Sequence, residues 1–205
     1  MNLIFHLMKG KLITFEGIDG SGKTTISKLL YEKLRSIKEA ILTAEPTETW
    51  LGKAVRKALE ENRDAITIAF LFMADRNEHV KKIKKWLNEG KIVICDRFAD
   101  STFAYQKEHL RIRNPEKWLY KVHEPFLIKP NITFLLIIEP KKALERIDHR
   151  KLIIYEDEKF LREVQNNYLK IAEKEKDRFY VVNAEKNKEE IVKECLKILK
   201  ERKII

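Results

Sequence analysis

The run Gly17-Ile18-Asp19-Gly20-Ser21-Gly22-Lys23-Thr24 constrains this chain more than any other feature of it. Its pattern, G-x-x-x-x-G-K-[ST], works where a strand delivers the chain into a glycine turn and a helix carries it away, so that backbone N–H groups converge on one point. The flanks supply that context. Lys11 to Glu16 is apolar and β-branched, and an amphipathic stretch begins near Lys23. By average composition the pattern arises by chance in a chain of this length on the order of 1% of the time. Its physical reading is a phosphate cradle: the glycines turn amides toward an anion, the helix start adds a positive dipole end, Lys23 adds a mobile charge, and the Thr24 hydroxyl suits Mg²⁺. Gly17 to Thr24 and the adjoining Thr25 are the expected ATP contacts.

Further strand-like runs fall at Ala40 to Ala44, Ile92 to Asp96, Ile132 to Ile138 and Phe179 to Asn183, with amphipathic helical stretches between them. Five strands alternating with helices predict a parallel sheet covered on both faces, a three-layer α/β fold. The 205 residues suffice for one domain, expected over 1–205. Asp64 is placed to cap the helix that ends near Gly90, and Asn114-Pro115 offers a cap followed by proline at the first helical position. The longest apolar runs, Ile66 to Ala74 and Phe134 to Ile138, are too short to span a bilayer, so no membrane partner is expected. Met1 to Met8 has neither a basic leader nor a small-residue cleavage site, so no secretory signal is read there, and Met8 is an alternative start. Cys95 and Cys195 lack metal-ligand spacing, which suits a reducing, cytoplasmic setting. The net charge of +10 is spread over amphipathic segments with glutamates nearby, so no nucleic-acid partner is expected from it.

A phosphate cradle alone does not name a reaction. Asn187-Lys188-Glu189-Glu190 lacks the aspartate of a guanine-reading motif and reads as the cap of the last helix. Asp96-Arg97-Phe98 follows the apolar run Ile92 to Cys95, which puts a carboxylate and a guanidinium at the C-terminal end of a buried strand, where open α/β sheets bind ligands. Asp96 could serve Mg²⁺ beside Thr24, and Arg97 could grip an acceptor phosphate bidentately. Away from the phosphate loop the same pair would read as a surface ion pair.

Phe15-Glu16-Gly17 through Thr25, then Glu45-Pro46-Thr47, then Leu71-Phe72-Met73-Ala74-Asp75-Arg76, then Asp96-Arg97-Phe98 through Tyr105-Gln106 resemble, in order and spacing, the successive motifs of thymidylate kinases. The resemblance runs from about Lys11 to the C-terminus. It implies a P-loop kinase fold, transfer of the γ-phosphoryl of Mg·ATP to dTMP, and a homodimer. By position it implies that Phe72 stacks on the base, Arg76 bonds a base carbonyl, and Arg97 and Arg56 contact the acceptor phosphate. Ser101, Tyr105 and Gln106 would line the sugar and base pocket, Glu45 would belong to the substrate site, and Asp19 would approach the deoxyribose. Tyr105 is placed to exclude a ribose 2′-hydroxyl.

Pro140 to Arg150 resembles the helix leading into the family's lid, expected over about residues 146–156, and Glu158 to Ala172 the helix returning from it. Arg146, Arg150 and Lys151 are the lid's cations. Gly20 stands where some members carry a P-loop arginine, so the resemblance implies the lid-arginine type, with Lys23, Arg97, Arg146 and Arg150 as the catalytic cations. The chain departs from the pattern at Ala44, where an arginine often precedes the Glu-Pro pair, and at Ile137, where an aspartate is common. Since the chemistry needs no base of unusual pKa, His123 and His149 are expected at the surface. Three other readings stay open: a kinase for another nucleoside monophosphate, a P-loop ATPase acting on nucleic acid, and a non-catalytic nucleotide-binding protein.

Overall fold

A computed structural model describes residues 9–147 and 157–205. Its centre is a five-stranded parallel sheet of β1 (Lys11–Glu16), β2 (Ala40–Ala44), β3 (Ile92–Asp96), β4 (Ile132–Ile137) and β5 (Phe179–Asn183), in the order β2-β3-β1-β4-β5. The central strands are buried on both faces, which is why they read as near-continuous apolar runs rather than alternating ones. Alternation survives as a division of labour. Ile13, Phe15, Ile92 and Ile94 pack into one core with Leu30, Phe134, Tyr168 and Leu199, while Leu12, Val93 and Cys95 pack into a second core with Met73, Ile83, Phe98 and Leu119. Burying each such side chain contributes ~2 kcal/mol.

Eight helices are described: α1 (Lys23–Leu34), α2 (Trp50–Glu60), α3 (Ala65–Asn88), α4 (Ala99–His109), α5 (Pro115–His123), α6 (Pro140–Arg146), α7 (Glu158–Lys174) and α8 (Lys188–Glu201). Their starts are set locally. Asp64 accepts from the Ile66 and Thr67 amides at 3.1 and 3.0 Å, Asp157 from the Phe160 amide at 2.7 Å, and Asn187 from the Glu190 amide at 2.8 Å. Asn114 differs from expectation. It precedes α5 in the left-handed region, φ 56°, and its side chain makes no capping bond, so Pro115 alone sets that helix start.

The order places β1 at the centre, with β3 on one side and β4 on the other, so the chain leaves β1 where the direction of winding reverses. In open α/β sheets a crevice forms at that point, at the carboxyl ends of the strands. The loop after β1 and the Asp96-Arg97-Phe98 turn after β3 therefore face each other across it.

Candidate active site

Positive φ at Gly17, Gly20 and Gly22 bends the loop between β1 and α1. At Gly20 the constraint is spatial as well, for a Cβ there would stand 2.2 Å from the Ala143 carbonyl oxygen of α6. No side chain fits at that position without displacing α6, so the absence of an arginine from the loop is a packing requirement. The Lys23 Nζ, nearly buried, donates to the Ile18 carbonyl at 2.7 Å and to the Ser21 hydroxyl at 3.4 Å. Burial, then the Arg97 charge, pull its pKa down to about 8 against the opposing effect of Asp19, Asp96 and Glu16. The loop opens onto a cleft of about 810 Å³ whose walls include Gly20 to Ile26, Arg97, Arg146 and the turn from Ala184 to Glu189.

The Thr24 hydroxyl donates to Asp96 Oδ2 at 2.5 Å, while Asp96 Oδ1 is buried with no hydrogen-bond partner among the described residues. A buried carboxylate oxygen left without a donor is costly unless a cation satisfies it. A hydroxyl and a carboxylate oxygen are the hard donors that Mg²⁺ selects when phosphates supply further ligands. The pair fits the ion.

On the other side of Arg97 lies a cavity of about 180 Å³. Phe72 and Arg76 of α3 and Ser101, Thr102, Tyr105 and Gln106 of α4 line it, together with Asp19, Glu45, Pro46, Leu59, Phe98 and His109. Asp19, Arg97 and Tyr105 form one cluster at its mouth. The Arg97 guanidinium pairs with Asp19 Oδ1, the Tyr105 hydroxyl donates to Asp19 Oδ2 at 2.9 Å, and the guanidinium lies 5.4 Å from the Tyr105 ring centre. Desolvation opposes the Asp19 charge, but Arg97, Lys23 and the Tyr105 bond outweigh it and hold the carboxyl below its usual range.

Deeper in, Arg76 is fully buried and every donor is engaged. Nε and Nη2 bond Glu45 Oε2 at 2.8 and 2.7 Å, Nη1 reaches the Thr102 hydroxyl at 2.9 Å and His123 Nε2 at 2.8 Å, and Nη2 also reaches the Phe98 carbonyl at 3.2 Å. The remaining Glu45 oxygen bonds His79 Nδ1 at 2.8 Å. Gln106, by contrast, is nearly buried and its carboxamide makes no hydrogen bond among the described residues.

These positions correct one expectation. His123 is fully buried rather than at the surface. Arginine can only donate, so His123 Nε2 accepts from Arg76 and Nδ1–H donates to the Leu119 carbonyl at 2.7 Å. Burial first, and then the Arg76 charge, push its pKa down to about 3, which fixes the neutral ring. His149 lies outside the described residues.

Of the other expected site residues, Phe72, Arg76, Ser101, Tyr105, Gln106, Glu45, Asp19 and Arg97 come together at the cavity. Asp19 to Thr25 line the cleft, and Ile18 meets it through the carbonyl that holds Lys23. Gly17 supplies the turn and lines neither space. Arg56 does not line the cavity; its guanidinium bonds the Pro46 and Thr47 carbonyls at 3.0 and 2.8 Å and bridges the turn before α2. Arg146 lines the cleft and donates to the Ala184 carbonyl at 3.3 Å, whereas Arg150 and Lys151 lie outside the described residues. Sequence reasoning missed Thr102, which sits inside the Asp96 to Gln106 run, and the β5–α8 turn of Ala184, Lys186 and Lys188, whose only sequence signal was the Asn187 cap.

The family model described as thymidylate kinase matches residues 15–195. Among similar proteins, the "Probable thymidylate kinase" of Methanococcoides burtonii is 41% identical over 196 residues, covering 94% of this chain and 97% of the relative. That of Methanoculleus marisnigri is 43% identical over 186 residues, covering 89% and 90%. That of Sulfolobus acidocaldarius is 40% identical over 196 residues, covering 92% and 95%. Agreement of this depth along nearly the whole length places the chain in the thymidylate kinase family.

Proposed function

We propose that this protein, as a single catalytic domain over 1–205, transfers the γ-phosphoryl group of ATP to the phosphate of dTMP and yields ADP and dTDP. The observation that carries this reading is that donor cleft and acceptor cavity meet, since Asp19 and Arg97 line both. An oxygen of the acceptor phosphate attacks the γ-phosphorus as the β–γ bridging P–O bond breaks, and ADP departs with the released electron pair. Such a transfer asks for positioning and charge neutralisation rather than a strong base.

Lys23 exchanges its bond to the Ile18 carbonyl for the β- and γ-phosphates, which the loop amides also hold. Arg97 turns part of its guanidinium from Asp19 to the acceptor phosphate, and Asp19 then meets the deoxyribose. Phe72 provides a stacking face, an aromatic role that tolerates any base. Selection falls to Gln106, whose unpaired carboxamide complements the N3–H and a carbonyl of thymine, while Arg76, with every donor engaged, braces the cavity wall through Glu45 and Thr102. Tyr105 crowds a ribose 2′-hydroxyl and Ser101 completes the wall. Arg56 holds the Glu45-Pro46-Thr47 turn in place, and Glu45 holds Arg76. Arg146 and Arg150, in a lid over about residues 146–156, meet the transferring charge on closure. Thr24 and Asp96 would hold Mg²⁺, which when bound supplies neutralising charge to the donor phosphates.

A homodimer is favoured by the apolar side chains that α2 and α3 leave exposed, Trp50, Ile66 and Phe70, and sedimentation would read it directly. No helix among the described residues is long and apolar enough to cross a membrane. Two free, buried cysteines accord with the cytoplasm, and the dispersed positive charge with the absence of a nucleic-acid partner.

A coupled assay of ADP release against dTMP, dUMP, CMP, AMP and GMP tests the reading. We expect the highest kcat/KM for dTMP. Faster turnover of AMP, CMP or GMP would assign the site to another acceptor, and ATP hydrolysis that rises with DNA or RNA in place of a monophosphate would assign it to the ATPase class.

A further inference from the structure

Glu16, the last residue of β1, is fully buried and forms no ion pair among the described residues. Three neutral donors surround it instead. The Phe98 amide donates to Oε1 at 2.8 Å, and the Ser101 and Tyr168 hydroxyls donate to Oε2 at 2.6 and 3.1 Å, with 2.8 Å between those two hydroxyls. A buried carboxylate with no cation in contact is expensive, and burial, then the nearby Asp100 charge, raise its pKa to about 7 against the Ser101 and Phe98 hydrogen bonds and the more distant Arg97 charge. The transfer chemistry described above leaves this residue without a task.

Its partners supply one. Arg97 sits at φ 65°, in the left-handed region that a non-glycine residue adopts only at a cost. Two successive amides hold it there: Arg97 N–H donates to the Phe15 carbonyl at 3.0 Å, and Phe98 N–H donates to Glu16. Both anchors are the end of β1. Glu16 also grips Ser101, whose hydroxyl lies 3.5 Å from Arg97 Nη1, and Tyr168 of α7. One carboxylate thus fixes the backbone that aims the Arg97 guanidinium, touches the side-chain environment of that guanidinium, and ties both to α7.

We propose that Glu16 is a positioning residue for phosphoryl acceptance, which acts through Arg97 by holding it in the left-handed conformation that presents its guanidinium to the acceptor phosphate. The inference rests on the reading of Arg97 as the acceptor-phosphate ligand. It assigns Glu16 no contact with either nucleotide, and donor binding is independent of it.

The test is a double-mutant cycle on the full chain, with kcat, KM for dTMP and KM for ATP measured for Glu16→Leu, Glu16→Gln, Arg97→Ala and the combination of Glu16→Leu with Arg97→Ala. Glu16→Leu should lower kcat/KM for dTMP by ~30-fold while KM for ATP stays within about twofold. Glu16→Gln keeps an acceptor for the Phe98 amide and should restore activity to within about threefold of the parent. In the Arg97→Ala background, Glu16→Leu should cost less than about twofold more. If Arg97→Ala alone leaves dTMP use intact, the reading of Arg97 fails. If Arg97→Ala is impaired and the Glu16→Leu loss multiplies onto it in full, the positioning role is wrong and the reading of Arg97 stands. Should Glu16→Leu lack a cooperative melt, Glu16→Asp takes its place in the cycle. It keeps the charge but loses the reach, and a loss of at least ~5-fold that vanishes without Arg97 is expected.

Discussion

The acceptor cavity and the donor cleft share Asp19 and Arg97, yet they are made of different material. The cavity is about 180 Å³, walled by side chains already bonded to one another: Arg76 with every donor engaged, Glu45 between Arg76 and His79, Asp19 between Arg97 and Tyr105. The cleft is about 810 Å³, and its wall joins the glycine loop to cations held on backbone carbonyls, Lys23 on one of its own loop and Arg146 on that of Ala184. A phosphate common to every nucleotide can be held by amides, whereas one base among several must be read by side chains that cannot move aside. Substitutions in the cleft should therefore register as rate, and those in the cavity as stability or selectivity.

The largest effect is expected on the donor side. Arg146→Ala or Arg150→Ala should lower kcat by up to ~1000-fold, as removal of an arginine finger does, with dTMP affinity by calorimetry unchanged. Two mutants that both keep kcat within threefold would move the transition-state charge elsewhere. Next comes the cavity, where Arg76→Ala leaves Glu45 buried without its guanidinium and should cost ~3 kcal/mol of unfolding free energy in a denaturant titration. If Arg76→Ala instead loses dTMP affinity at unchanged stability, the cavity is not the prebuilt scaffold described. Lys23→Ala should then show the reverse pattern, a drop in kcat of ~100-fold and a melting midpoint near the parent's, because burial already disfavours the lysine's charge. The smallest effect concerns the junction. Glu16 has its folded pKa raised from 4.5 to about 7, so the folded state holds a proton that the unfolded chain has lost. Its contribution is fully present below pH 4.5 and is lost as pH rises toward 7, a slope of at most ~1.4 kcal/mol per pH unit. Glu16→Gln should remove that slope, which paired denaturant titrations at pH 5 and 7 would resolve.

How far the sequence could be read follows the same division. The strands were legible to within a residue because a doubly covered parallel sheet needs uninterrupted apolar runs, and the loop because its glycines answer a local backbone demand. His123 was not legible. Lys121 and Glu124 flank it and make the segment look solvated, while its burial depends on Arg76, 47 residues away in the chain. Arg56 reads as a free cation until the Pro46 and Thr47 carbonyls are seen to occupy it. The β5–α8 turn belongs to the cleft because β5 lies beside β4, which neighbours β1, and that order is set by the whole sheet rather than by any residue of the turn. Long-range pairing of polar groups leaves no periodic trace in sequence, and the network of Arg76, Glu45, His79 and His123 behind the acceptor cavity is built from it.

The contact between Gly20 and α6 bears on which histories are open to this site. Because a Cβ at position 20 would meet the Ala143 carbonyl at 2.2 Å, an arginine cannot enter the loop first and take over from the lid afterwards. The helix would have to move before the residue could change, and until then every intermediate pays in packing without gaining a cation. The two ways of supplying an arginine are then not neighbours joined by one substitution, and in this chain the closeness of two backbones keeps the loop without one.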